Sequence, residues 1–137
     1  MAKLFKTFVR NTVFKKDNNL VSLDDWYSTV LRLLKGHQIN GILDAGASDG
    51  RLSLKLLEGF TKAKAYAFEP NPIYCETLKN LSKKHPRFVP QFCGLSEKAG
   101  SVDFYITDNI GSSSMFQPSS RFQESHPQES AVKKKTK

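Results

Sequence analysis

Cysteine is scarce in this chain: Cys75 and Cys93 are the only two, 18 residues apart and without a CxxC pairing. Two thiols cannot staple a small disulfide scaffold, so reduced, buried thiols are expected. Histidine is equally sparse. His37, His85 and His126 are scattered rather than spaced as ligands along one element, and no metal site is expected. No apolar run approaches the ~18 to 20 residues of a membrane span, and charge breaks up the N-terminal stretch too often for the apolar region of a signal peptide. A cytoplasmic location is the expectation. The sequence also contains no Gly-Lys-Ser/Thr triplet, which excludes the nucleoside triphosphate loop.

What is present fits one small domain, since 137 residues with 39% hydrophobic content supply a single modest core. The net charge of +8 is unevenly placed. Residues 1 to 16 hold five basic groups and no acid, and Lys133, Lys134, Lys135 and Lys137 add four more, so residues 17 to 132 retain 12 basic against 13 acidic groups, a net charge of −1. A nucleic-acid groove needs positive surplus in the body to displace counterions from phosphates; no nucleic-acid partner is expected. The N-terminal segment reads as a short basic amphipathic helix with Leu4, Phe5, Phe8, Val9 and Val13 near one face. Such a helix suits peripheral contact with an anionic membrane, or packing on its own domain or a partner, and the sequence leaves these open.

After the polar break Lys15-Lys16-Asp17-Asn18-Asn19, Ser22 is expected to cap a helix with Asp24 and Asp25 in its first turn, where acids match the positive helix end. Trp26, Val30, Leu33 and Leu34 give its apolar face and Gly36 its stop. Residues 1–38 therefore read as an N-terminal helical extension. A regular alternation follows. Ile42-Leu43 leads a strand into a turn, Arg51 to Glu58 is a helix with Leu52, Leu56 and Leu57 inward, and Ala65 to Phe68 is a second strand. Asn71-Pro72 starts a second helix along Tyr74, Leu78 and Leu81, stopped by Pro86, and Phe88 to Gly94 is a third strand. Strands alternating with helices over short links predict an α/β fold built on a parallel sheet. A half-exposed strand through Val102, Phe104 and Ile106 comes next, and from Gly111 onward the composition predicts a loop or disordered tail.

The turn within ILDAGASDGRLSLKLL, residues 42 to 57, falls at the carboxyl end of the first strand, where open parallel sheets bind ligands. Gly46 and Gly50 would let a ligand approach the backbone closely. Asp44 and Asp49 make the turn acidic, which disfavours a pyrophosphate and favours a cofactor carrying positive charge, such as the ammonium and sulfonium of S-adenosylmethionine. Glu69 ends the second strand, where a carboxylate can accept both hydrogen bonds of a ribose diol. An acid there serves NAD-binding folds too, so an NAD-dependent oxidoreductase stays as a remote alternative.

Four blocks in order, Ile42-Leu43-Asp44-Ala45-Gly46-Ala47-Ser48-Asp49-Gly50, Ala67-Phe68-Glu69-Pro70-Asn71-Pro72, Gly94 through Phe104, and Ser113-Ser114-Met115, resemble the FkbM-type family of S-adenosylmethionine-dependent methyltransferases. The resemblance implies a Rossmann-like class I methyltransferase fold and methyl transfer to a hydroxyl oxygen of a sugar or small natural product. It implies that Asp44, Gly46 and Gly50 line the methionine part of the cofactor, that Glu69 holds the ribose, and that Leu95 and Ser96 lie by the adenine. It also implies that Ser113 and Ser114 lie near the site. No catalytic base is named. Residues 39–116 then form a partial cofactor-binding α/β domain and 117–137 a polar, Lys-rich tail. The fold reads as truncated after the third parallel strand and the strand that follows it. The fourth parallel strand of the family, with its Lys-Ile-Asp-x-Glu-Gly block, has no match here. The first strand is therefore expected at a sheet edge. Two readings follow: a methyltransferase, of which this chain is a truncated reading or which a partner chain completes, or a non-catalytic fragment or interaction module that keeps the cofactor-binding half.

Overall fold

The computed structural model describes residues 25 to 136. The basic amphipathic segment, Ser22, Asp24 and Lys137 lie outside them. The first described helix, α1 (Trp26–Leu33), starts at Asp25, whose carboxylate accepts the Ser28 N–H and the Ser28 hydroxyl. Gly36 follows it in a left-handed turn (φ +87°).

Next come β1 (Gly41–Ala45), α2 (Arg51–Gly59), β2 (Lys64–Phe68), a 3-10 turn at Pro72–Tyr74, α3 (Cys75–Lys84) and β3 (Phe88–Gln91). The three strands form one parallel sheet in the order β1-β2-β3. The fold is α/β, as the alternation predicts, with β1 at a sheet edge among the described residues.

Strand periodicity sorts the side chains. Ile42, Ala65, Ala67 and Phe88 share one hydrophobic cluster with Leu57 of α2 and Leu78 of α3, so both helices cover the same face of the sheet. The middle strand presents only alanine to them, with Ala65 and Ala67 fully buried, and this lets the two helices sit close to the backbone. Gly59 serves the same end on α1, because a Cβ there would collide with Leu31 and crowd the Tyr27 hydroxyl. On the opposite face Leu43 and Tyr66 stay exposed.

The inward stripe of α2 differs from the leucine pattern expected. Leu57 is buried, but Leu52 is 44% exposed while Ser53 is completely buried. Ser53 faces inward because its hydroxyl donates to the Asp44 carboxylate at 2.7 Å; the polar contact sets the rotation of the helix. At the other end of α2 the carbonyl groups have no helical partner, and Arg87 supplies one. Its guanidinium donates to the carbonyls of Leu57 (2.9 Å), Phe60 (3.0 Å) and Ala63 (3.0 Å), tying the start of β3 to the first crossover.

Beyond the parallel sheet the chain forms β4 (Phe104–Thr107), a 3-10 turn at Ile110–Ser112, α4 (Ser120–Ser125), α5 (Pro127–Ser130) and β5 (Val132–Thr136). This corrects the expectation of a structureless tail. Ser119 caps α4 by accepting the Phe122 N–H, Pro127 opens α5, and β5 pairs antiparallel with β4. Composition hid the strand, since lysine is disfavoured in most strands yet suits an exposed edge.

Arg87→Ala should lower stability by roughly 2 to 4 kcal/mol, because three partly buried carbonyls lose a charged donor. Urea denaturation of wild type and variant measures the difference, and Arg87→Lys should recover only part of it, since one ammonium cannot reproduce the planar fork.

Candidate functional site

The carboxyl ends of β1 and β2 run into two loops that one carboxylate joins. Glu69 is 6% exposed. Its Oε2 accepts the Ser48 N–H and its Oε1 accepts the Asn71 N–H, both at 2.7 Å. Asn71 uses its own side chain to accept the Ile73 N–H and start the turn into α3. The first loop is held from below as well, since Gly46 and Ala47 both donate their N–H to the Phe68 carbonyl. Gly46 (φ +83°), Ser48 (φ 52°) and Gly50 (φ +77°) all adopt left-handed backbone. Three such residues in five make a sharply coiled loop.

A cavity of about 200 Å³ opens above this junction, lined by Gly46, Ser48, Glu69, Pro70, Asn71, Tyr74, Phe104, Ile110, Gly111 and Ser113. It lies between the two loops of the parallel sheet and the small antiparallel sheet. The second wall is firmly built. Thr107 N–H donates to Ser113 Oγ at 3.2 Å, Tyr105 and Ser114 exchange both backbone hydrogen bonds, and the Thr107 hydroxyl donates to the Asn109 carbonyl. The serine block is thus folded back on β4, with Ser113 on the cavity wall. Tyr74 and Phe104 complete the lining.

Of the residues expected at a ligand, Gly46 and Glu69 line the cavity and Asp44, Gly50, Leu95 and Ser96 do not. Each displacement has a cause. Asp44 is buried beneath the turn and bound to Ser53. Gly50 touches the core, where an added Cβ would meet Leu81 and Phe88 at 3.0 Å and Leu78 at 3.1 Å, whereas a Cβ on Gly46 would meet nothing. The two glycines therefore do different work: Gly46 borders open space at the cavity and Gly50 leaves room for the core. Leu95 is 50% exposed, and β3 ends at Gln91 rather than Gly94. The ladder stops because the next outward N–H of the neighbouring chain, that of Asn71, is already taken by Glu69. Gly94 still reaches Pro70, which lines the cavity. Asp49 is paired with Arg51, both by its side chain and by accepting the Arg51 N–H.

Sequence reasoning missed Ser48, Pro70, Asn71, Tyr74, Phe104, Ile110 and Gly111 as lining residues. Asn71 and Tyr74 carried a signal, a cap and a core-facing ring, that pointed to the helix alone. Among the described residues no group of three or more His, Cys, Asp or Glu side chains could hold a metal ion. His85 caps the end of α3 and His126 stacks on Phe122, both away from the cavity lining.

No family model matches the chain, and no curated protein matches it. The chemistry of the cavity therefore rests on its own atoms. Among the described residues, Glu69 is the single charged side chain in the lining. A carboxylate offers about four lone-pair sites, and two are spent on Ser48 and Asn71, so Glu69 keeps capacity for two further donors. The arrangement suits a ligand bearing hydroxyl donors or positive charge and opposes a phosphate.

Gly46→Ala should cost about 1 to 2 kcal/mol, the strain of a side chain in left-handed backbone. Gly50→Ala should cost about 2 to 5 kcal/mol, because overpacking against Leu78, Leu81 and Phe88 adds to the same strain. Thermal or chemical unfolding of the two variants side by side checks the order.

Proposed function

We infer that the chain carries the cofactor-binding part of an S-adenosylmethionine-dependent methyltransferase of FkbM type, acting on a hydroxyl oxygen of a sugar or small natural product. The observation that carries this reading is a buried carboxylate among described lining residues that include no cation. An acid at the end of a second strand serves the ribose of NAD as well, but a pyrophosphate would find no Lys or Arg among those residues to offset its charge. S-adenosylmethionine brings a ribose diol and a sulfonium instead. Glu69 would accept the two ribose hydroxyls on its remaining lone pairs. Gly46 would let that ligand lie against the backbone, and Tyr74 and Phe104 would offer flat apolar faces for a base or for a cationic sulfur. When bound, the cofactor supplies an electrophilic methyl group. The task left to this chain is to hold it still and exclude water on one side, so that an acceptor oxygen can be brought into line.

A second reading has an observation of its own. The cavity, at about 200 Å³, is smaller than the ~300 to 1,000 Å³ of a complete small-molecule site, and among the described residues no histidine or lysine lines it. Those features favour a module that binds the nucleoside half of the cofactor without transferring the methyl group.

Titration calorimetry of the whole chain separates the outcomes. S-adenosylmethionine should bind and NAD should not, and Glu69→Gln should weaken binding roughly 10- to 100-fold through the lost charge-assisted hydrogen bonds. A folded chain that ignores S-adenosylmethionine overturns the cofactor assignment. Binding without turnover against a panel of hydroxylated acceptors selects the second reading.

A further inference from the structure

Two parts of the chain enclose the cavity, and they differ in what holds each together. One is the parallel layer, whose Gly46, Glu69 and Asn71 line it above a core that runs from Ala47 and Leu57 to Leu78 and Phe88. The other is the antiparallel unit of β4, β5, α4 and α5, which supplies Phe104, Ile110, Gly111 and Ser113. Between the two, every residue from Phe92 to Val102 is exposed and none belongs to a helix or strand. Cys93, expected to be buried, is among them. Such a linker lets one part move against the other.

The antiparallel unit has little apolar burial of its own. Its strands form a two-stranded ribbon, and α4 and α5 have six and four residues; ribbons and helices of that size are marginal in water. Of its described residues Ile106, Thr107 and Ser130 alone are buried, and Ile106 stands apart from the cluster beneath the parallel sheet. What the unit does have is a hydrogen-bonded relay leading from the cavity to its far end. Asn109 accepts the Gly111 N–H on its side chain at 3.2 Å, and its carbonyl accepts the Ser112 N–H (2.8 Å) and the Thr107 hydroxyl (2.7 Å). Its amide then donates to the Glu129 carboxylate of α5 at 3.4 Å. Beside it, the Asp108 N–H donates to the Ala131 carbonyl, and the Asp108 carboxylate pairs with Lys133 of β5. The turn that walls the cavity is thereby tied to α5 and β5.

We propose that the antiparallel unit is a ligand-stabilised cap: it opens and closes as one piece, and S-adenosylmethionine in the cavity holds it closed. This rests on the cofactor reading above and adds what the cofactor does to the chain. Opening withdraws Phe104, Ile110, Gly111 and Ser113 from the site, so the closed state binds the ligand more tightly and the ligand shifts the balance toward it. The converse follows from the same linkage. Loosening the cap lowers the apparent affinity in proportion to the fraction closed, even through a residue the ligand never touches.

Hydrogen exchange of the whole chain, with and without S-adenosylmethionine and beside calorimetry, tests this. The Tyr105, Asp108 and Ser114 amides are bonded inside the cap. They should slow by roughly 100-fold at a free cofactor concentration about a hundred times Kd, because opening then requires release of the ligand. Ile106 does not line the cavity, yet Ile106→Ala should weaken cofactor binding by roughly 10-fold or more, with Ile106→Val between it and wild type. The Ala65 and Glu69 amides, bonded within the parallel sheet, should exchange in the unliganded variants as they do in unliganded wild type, which shows that the core is still folded. Cofactor that binds but leaves the three cap amides at their unliganded rates overturns the proposal and spares the cofactor reading. So do Ile106 variants whose cap amides exchange faster while their affinity stays at the wild-type value. A folded chain that does not bind S-adenosylmethionine overturns the cofactor reading, and the cap proposal with it.

Discussion

The cavity end of the molecule depends on the Glu69 carboxylate. Two loops leave neighbouring strands and must be brought into a fixed relation before any ligand can be recognised between them. A single side chain does this by accepting one backbone N–H from each loop. Because Glu69 is buried, removing either donor would leave lone pairs unsatisfied at considerable cost. The bond from Asn71 also ends the ladder between β2 and β3, and so decides where the third strand leaves the sheet. Loop shape, strand length and the charge of the cavity all follow from one residue.

The parallel core was legible in the sequence because its signals are local. Asn71-Pro72 marks a helix start, Pro86 its stop, and short apolar runs mark the strands. The DxGxxxG turn was legible as a turn but not in its division of labour. Only distances from Gly50 to Leu78, Leu81 and Phe88 show that this glycine belongs to the core, and only the Ser53 contact shows that Asp44 points away from the cavity. A carboxylate next to a glycine looks the same in sequence whether it faces a ligand or a serine nine residues later.

The second wall of the cavity was illegible for a different reason. Phe104, Ile110, Gly111 and Ser113 reach it through a strand whose partner, β5, is lysine-rich and follows β4 only after some two dozen intervening residues. Pairing at that distance leaves no periodic trace in composition. The serine block likewise looks flexible by composition, yet Ser113 and Ser114 are engaged with Thr107 and Tyr105. Polar residues that satisfy a nearby backbone look identical to polar residues that face water.

The Arg87 clamp bears on the order in which the chain can assemble. The three carbonyls it holds lie 24 to 30 residues earlier, on the far side of β2 and α3. The end of the first crossover is therefore finished only after the third strand has arrived. Neither half of the sheet is a unit that forms and then waits for the other. Local opening at either crossover should propagate to both, making the parallel core one cooperative block rather than a chain of separable hairpin-sized pieces.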